Sequence, residues 1–367
     1  MQIVVFGLSV SSSWGNGHAT LWRGLIHALA RRGHRVIFYE WDAPYYALHR
    51  DCFGLPSGEL VLYQRWSDIE QRAARDLQAA DVGLVTSYCP DGVAATELVL
   101  ASSAERKVFY DLDTPVTLET IARGERVPWI SADGLAGFDL VLSYTGGAAL
   151  TELRRVLGAQ RVVPLYGSVD PDLHAPTAPL ERYRADLSYL GTYAAERQPT
   201  VDELFIEPAK VRPDLKFALA GSQYPLDFPW QANVFYHFHV PPAQHAAFYC
   251  SARLNLNVTR GAMARMGYCP SGRLFEAAAC GAALISDAWE GLEDFYEPGR
   301  EILVARTRQD VLAALEYSDA ELSRMAARAR ERTLAEHSTE RRADQLLQAL
   351  SLRPRAAQQS AAAPVGE

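Results

Sequence analysis

Leu254-Asn255-Leu256-Asn257-Val258, then Pro270-Ser271-Gly272-Arg273-Leu274-Phe275-Glu276-Ala277-Ala278-Ala279-Cys280-Gly281, then Ala283-Leu284-Ile285-Ser286 is the stretch from which the fold can be read. The first and last pieces are short aliphatic runs of strand length. Between them, Pro270-Ser271-Gly272 supplies a turn and an N-cap, and Gly281 supplies a residue able to end the alanine-rich helix in the left-handed region. Strand, helix, strand in this order is a βαβ unit, and it predicts a parallel sheet. The same rhythm runs outward in both directions. In the first half it predicts strands over 3–6, 35–39, 82–86, 107–110, 140–143 and 162–166, with helices over 18–32, 69–79, 93–102 and 148–157 between them. In the second half it predicts strands over 187–190, 217–220, 234–238, 254–258, 283–286 and 302–304. Residues 167–179, rich in Pro, Asp and Ser with no apolar period, break the pattern and read as a linker.

The expected fold class is therefore α/β, two Rossmann-like domains facing an interdomain cleft. The N-terminal domain is placed at 1–170 and the C-terminal domain at 171–338. A helix over 339–350 is expected to pack back on the N-terminal domain, and the Ala-, Gln- and Pro-rich segment 351–367 is expected to be a disordered tail.

Composition narrows the function. A chain of 367 residues fits two domains of roughly 150 residues each. With 49% hydrophobic and 22% charged residues it can build sizeable cores, which excludes a disordered or fibrous protein. The net charge of −8 disfavours nucleic-acid and anionic-membrane partners, and the Arg-rich run 324–332 reads as a solvated helix face. The strand-like run begins at Gln2 with no leader pattern before it, and the apolar stretch 277–285 falls far short of the ~20 residues that span a bilayer. Five cysteines, an odd number with no C-x-x-C pair, read as reduced thiols. The expectation is a cytoplasmic enzyme.

Chemistry concentrates in four places. The loop Ser11-Ser12-Ser13-Trp14-Gly15-Asn16-Gly17-His18 follows the first strand and opens the first helix. Its small residues allow close backbone approach to a ligand, but it lacks the G-x-G-x-x-G spacing of a dinucleotide site. His18 reads as a base or ligand donor, or as a packing histidine. Gly191-Thr192-Tyr193-Ala194-Ala195-Glu196-Arg197 opens the second domain in the same way, as a diphosphate cradle or an ordinary βα turn. Arg273 and Glu276, three apart on one helix, share a face; there a carboxylate can accept two ribose hydroxyls while Arg and helix amides meet phosphate oxygens. Asp111-Leu112-Asp113-Thr114-Pro115 ends a strand, where Asp113 is either a base or the cap of the next helix. His237 and His239, two apart, read as one face of a predicted strand, with His245 nearby, but no third ligand with zinc spacing is evident, and no metal site is expected.

The run Leu256-Asn257-Val258-Thr259-Arg260, with Met263, Gly267-Tyr268, Pro270-Ser271 and 273–281, resembles the donor-domain signature of CgeB-like (spore-maturation-type) glycosyltransferases. Leu284-Ile285-Ser286-Asp287-Ala288-Trp289-Glu290-Gly291-Leu292, Phe295 and Glu301-Ile302-Leu303-Val304 continue the likeness. It implies a GT-B fold and sugar transfer from a nucleoside-diphosphate sugar, a UDP-sugar first, with neither metal nor cofactor. It implies that Glu276 binds the donor ribose, and that Arg197, Arg260 and Arg273, with Gly191 and Ser271, face the diphosphate. The nucleobase would lie against backbone near His237-Phe238-His239-Val240. The acceptor, a glycan, lipid, protein or small molecule, would meet Trp14, Gly15, Asn16 and Gly17. An inverting reaction would draw its base from His18 or Asp113; a retaining one would need none. Related retaining enzymes carry an earlier Glu where this chain has Tyr268. The rival readings are a nucleotide-sugar epimerase on this fold and a non-catalytic nucleotide-sugar-binding or envelope-assembly protein.

Overall fold

The computed structural model describes residues 1–351, so the tail expected over 352–367 lies outside the described residues. Seven strands form the first sheet: β1 (Gln2–Gly7), β2 (Arg35–Trp41), β3 (Gly58–Tyr63), β4 (Val82–Thr86), β5 (Arg106–Asp111), β6 (Leu140–Ser143) and β7 (Val162–Pro164). Six form the second: β8 (Ala185–Leu190), β9 (Phe217–Ala220), β10 (Val234–His237), β11 (Ala252–Asn257), β12 (Leu284–Asp287) and β13 (Leu303–Ala305). Their orders are β3-β2-β1-β4-β5-β6-β7 and β10-β9-β8-β11-β12-β13. Every pairing is parallel, with Val5 opposite Phe38 and Leu84, and Leu256 opposite Tyr189 and Ile285.

The sequence of β1 shows why. A parallel sheet covered on both faces needs a continuous apolar run, and alternate side chains go to opposite layers. Ile3 and Val5 pack with Trp22, Leu25 and Leu29 on one face, while Val4 and Phe6 pack with Tyr39, Ile69 and Leu77 on the other. Each fully buried aliphatic side chain of this kind contributes ~1.5–3 kcal/mol. Strand β3 falls outside the sequence reading. It is an edge strand whose Gly58, Glu59 and Leu60 are only partly buried, so its apolar content is diluted. Strand β10 ends at His237, one residue earlier than expected, with a consequence for the histidines given below.

In both sheets the strand order reverses beside the first strand, between β1 and β4 and between β8 and β11. Ligands of open α/β sheets bind outside the strand C-termini at such points. The chain crosses between the sheets twice, and the crossings are stitched together. Val169 N donates to His337 O at 3.0 Å and Thr339 N donates to Val169 O at 2.9 Å. The buried Arg342 guanidinium donates to Gly167 O at 2.8 and 3.2 Å. Beyond this point helix Thr339–Ser351 returns to the first domain, where Ala343, Leu346, Ala349 and Leu350 join the layer containing Trp22 and Leu25.

Candidate functional site

A cleft of about 680 Å³ lies between the sheets, and its walls come from the loops after β1, β4, β5, β8, β9 and β11 together with the start of helix Gly272–Ala279. The loop after β1 is shaped from beneath. Glu40 at the end of β2, only 1% exposed, accepts from Ser9 Oγ, Val10 N, Ser11 N and Ser11 Oγ at 2.9, 2.7, 2.9 and 2.5 Å. These bonds satisfy a buried carboxylate and fix the turn. Asn16 then caps helix Gly17–Arg31, its Oδ1 accepting from His18 N at 3.1 Å, so His18 projects from the first helical turn into the cleft.

Across the first-domain wall Asp113 is the meeting point. Its Oδ2 accepts from Tyr88 Oη at 2.9 Å and Arg260 Nη1 at 3.4 Å, and lies 3.9 Å from His18 Nε2. Asp113 is the N-cap residue of helix Thr114–Ala122, as the capping alternative has it, but only through its backbone. Its backbone carbonyl accepts from Val116 N and Thr117 N, but the side chain makes no cap bond and turns to the cleft. The local bonding falls instead to Asp111, whose Oδ1 accepts from Asp113 N and Thr117 Oγ1 while Oδ2 has no partner among the described residues. Burial pushes Asp111 up to about 7 and holds the His18 imidazole below its ordinary value.

The second-domain wall carries the expected donor residues. Gly191 N donates to Ala220 O at 2.8 Å, and a Cβ on Gly191 would come within 2.8 Å of Tyr189 Oη, so a larger residue there would displace that buried ring. Arg197 Nη1 donates to Thr192 O at 3.2 Å; Arg273 Nη1 donates to Asn257 Oδ1 at 2.9 Å. Neither Arg197 nor Arg273 has a carboxylate partner among the described residues. Arg260 is different: its Nε binds Glu196 Oε1 at 2.6 Å while Nη1 reaches Asp113. The loop carrying it is pinned by Asp287, whose Oδ1 accepts from Thr259 N and Thr259 Oγ1 at 3.0 and 2.9 Å. Ser271 opens the eight-residue helix Gly272–Ala279 with its hydroxyl uncommitted to a cap bond. Glu276 accepts from Tyr249 Oη at 3.0 Å. Burial opposes its charge, but His174, His245, Tyr249 and Arg273 around it hold its carboxyl below the usual range.

Gly15, Asn16, Gly17, His18, Asp113, Gly191, Arg197, His239, Val240, Arg260, Ser271, Arg273 and Glu276 all line this one cleft. Trp14 does not. Its indole stacks on His49 at 4.2 Å and meets His239 at 4.2 Å, joining the two domains at the mouth. The placement of His237 and His239 on one strand face is also corrected. Because β10 stops at His237, the two rings diverge, His237 against Tyr183 at 4.9 Å and His239 against Trp14. Tyr268 is held at φ 47° with its ring against Gly147 and Gly291, away from the cleft wall. Sequence reasoning missed Tyr88, Glu40 and His174. Tyr88 alone carried a local signal, as the residue just beyond the end of β4, and it sits at φ 64°.

Residues 197–348 match the family described as glycosyl transferase-like. No curated protein sequence matches the chain. Among solved structures, sucrose-phosphate synthase from Thermosynechococcus elongatus is 15% identical, with a TM-score of 0.71 over 95% of this chain and 98% of that one. HepE from Anabaena, in complex with UDP-glucose, is 14% identical with a TM-score of 0.66 over 96% and 99%. An alpha-glucosyltransferase in complex with UDP-glucose and DNA containing an abasic site is 10% identical with a TM-score of 0.67 over 96% and 100%. The chain has the GT-B fold, two parallel-sheet Rossmann-like domains around a cleft. Among the described residues, no helix is long and apolar enough to cross a membrane.

Proposed function

We propose that the protein is a glycosyltransferase of the CgeB-like branch that moves a sugar from a nucleoside-diphosphate sugar, a UDP-sugar, to an acceptor held by the N-terminal domain. The observation that carries this reading is the second-domain wall, where Glu276, two arginines without carboxylate partners and a helix N-terminus face one cleft. Glu276 would accept the ribose hydroxyls. Arg197 and Arg273, with the amides after Ser271, would stabilise the charge that grows on the departing diphosphate. The match over 197–348 and the complexes of HepE and the alpha-glucosyltransferase with UDP-glucose support a nucleotide-sugar donor. The CgeB-like assignment draws support from Arg260, Ser271, Arg273 and Glu276, all in that wall.

On the opposite wall Asp113 is the candidate to take the acceptor proton, with Tyr88 and Arg260 orienting it and His18 beside it. Arginine charge in place of a cation makes the transfer metal-independent on this reading. All five cysteines are free, which supports a reducing, cytoplasmic setting.

A thermal-shift panel of nucleotides and UDP-, ADP- and GDP-sugars in excess EDTA tests the reading. A ligand that binds only the native state raises the melting temperature by mass action. One nucleoside diphosphate and its sugar should stand out, and product analysis with donor alone should show no epimer. A panel that shifts nothing in EDTA would remove the donor site.

A further inference from the structure

Three polar side chains from distant parts of the chain converge at the donor end of the cleft. His174 comes from the linker turn after Asp170, His245 from helix Pro242–Ser251 and Glu276 from helix Gly272–Ala279. One donor atom from each lies within 4.8 Å of the other two. His174 is only 7% exposed, yet neither of its ring nitrogens has a hydrogen-bond partner among the described residues. His245 Nε2 lies 3.1 Å from the carbonyl oxygen of Val240, a group that can only accept, so this nitrogen carries the proton. In the neutral imidazole this leaves a lone pair on Nδ1, which has no hydrogen-bond partner among the described residues and lies 3.9 Å from Glu276 Oε2. With that ring neutral, two acceptors lie 3.9 Å apart, and beside them is the His174 imidazole with no partner among the described residues. Buried polar atoms left in this state cost free energy that a shared cation would recover.

We propose that His174, His245 and Glu276 form a zinc-binding site with three protein ligands and a fourth position open to the cleft. Two imidazole nitrogens and one carboxylate are a donor set for zinc rather than for magnesium or calcium, which take oxygens. The Val240 carbonyl on the far nitrogen of His245 is the outer-shell contact that fixes tautomer and ring orientation in such sites. Bonds of ~2.0–2.2 Å set ligand atoms roughly 3.3–3.6 Å apart, so the three groups must close by about 1 Å. His174 lies in a turn outside helix and sheet and can supply that movement. Glu276 and His245 belong to the cleft wall and His174 does not, which directs the fourth position toward the cleft. An occupied site would tie the interdomain linker to the donor helices. It would also engage the carboxylate assigned above to the ribose, so zinc would weaken nucleotide binding. That consequence rests on the donor reading; the site itself does not.

The test uses the full-length, metal-stripped protein without nucleotide. Cobalt should give the visible absorption of a four-coordinate ion, and an equivalent of zinc should abolish it. Losing an outer-shell partner typically costs ~10–100-fold in metal affinity, so losing a ligand should cost at least about tenfold. Competition with a chelating dye should show that loss in His174→Ala and in His174→Gln, with unchanged circular dichroism. His27→Ala, an exposed histidine on helix Gly17–Arg31, should bind zinc as the parent does. Absence of the cobalt spectrum, or parental zinc affinity in both His174 variants, overturns the site. Nucleotide titration in EDTA examines the donor reading separately, so either can fail alone.

Discussion

On the first-domain wall of the cleft Asp113 is held by Tyr88 and Arg260 and approached by His18, and Glu40 is saturated by serine hydroxyls and amides. Across the gap Arg197 and Arg273 hold only carbonyl oxygens, Thr192 O and Asn257 Oδ1, and no carboxylate among the described residues. Neither guanidinium makes a close ion pair among the described residues, which leaves charged donors free for an anionic ligand. The Asp113 carboxylate is paired without a ligand, whereas among the described residues these two guanidiniums are not. On the function proposed above, the difference separates a wall that positions a proton acceptor from a wall that receives a diphosphate.

The largest expected effect breaks the first wall. Asp113→Asn keeps the shape and the hydrogen bond from Tyr88 but removes the proton acceptor. Transfer should fall about 10²–10⁴-fold while nucleotide affinity hardly changes. Turnover and calorimetric titration, read with the anomeric configuration of the product, check this. Near-normal turnover with retained configuration would show that Asp113 is not the base, and both walls would then serve binding alone.

A smaller effect sharpens the second wall. Glu276→Ala should weaken nucleotide binding by ~1.5–3 kcal/mol, the contribution of a charge-assisted hydrogen bond, and leave the fold intact. Calorimetry in EDTA keeps the measurement free of metal. Equal affinity in variant and parent would take Glu276 out of the nucleotide site, whereas Asp113→Asn and Glu276→Ala losing the same step would erase the distinction between the walls.

What could be read from the sequence follows the distance over which its causes act. The βαβ rhythm is local, so β4, β6 and β9 were predicted with the bounds observed. Arg273 and Glu276 sit three apart on one helix, and Gly191 and Arg197 share a turn, so each pair announces itself. Strand β3 was not legible because its burial depends on β2 beside it and not on its own alternation. Tyr88 meets Asp113 across 25 residues and Arg260 meets it across 147, distances on which no spacing rule operates. His174 was hidden for another reason: the linker composition that marks a domain break also disguises a buried side chain. His237 and His239 misled because β10 ends at His237, and beyond it the chain no longer keeps the alternation of a strand.

The smallest expected effect concerns how the first wall is finished. Asp111, fully buried behind Asp113 with one oxygen lacking a partner among the described residues, is raised by burial to about 7 from an ordinary value of 3.8. Between those values the folded protein holds a proton that the unfolded chain has released. Stability therefore falls as pH rises through this window, by at most ~1.4 kcal/mol per pH unit from this one group, and levels off above it. Asp111→Asn is neutral at every pH and keeps an oxygen for Asp113 N and Thr117 Oγ1. The variant should match the parent near pH 4 and exceed it above pH 7 in denaturant titrations. A parent-minus-variant stability that does not change across that window would mean that Asp111 is already ionised when folded. The first wall would then hold two adjacent carboxylates, with Arg260 bonded to the outer one, Asp113.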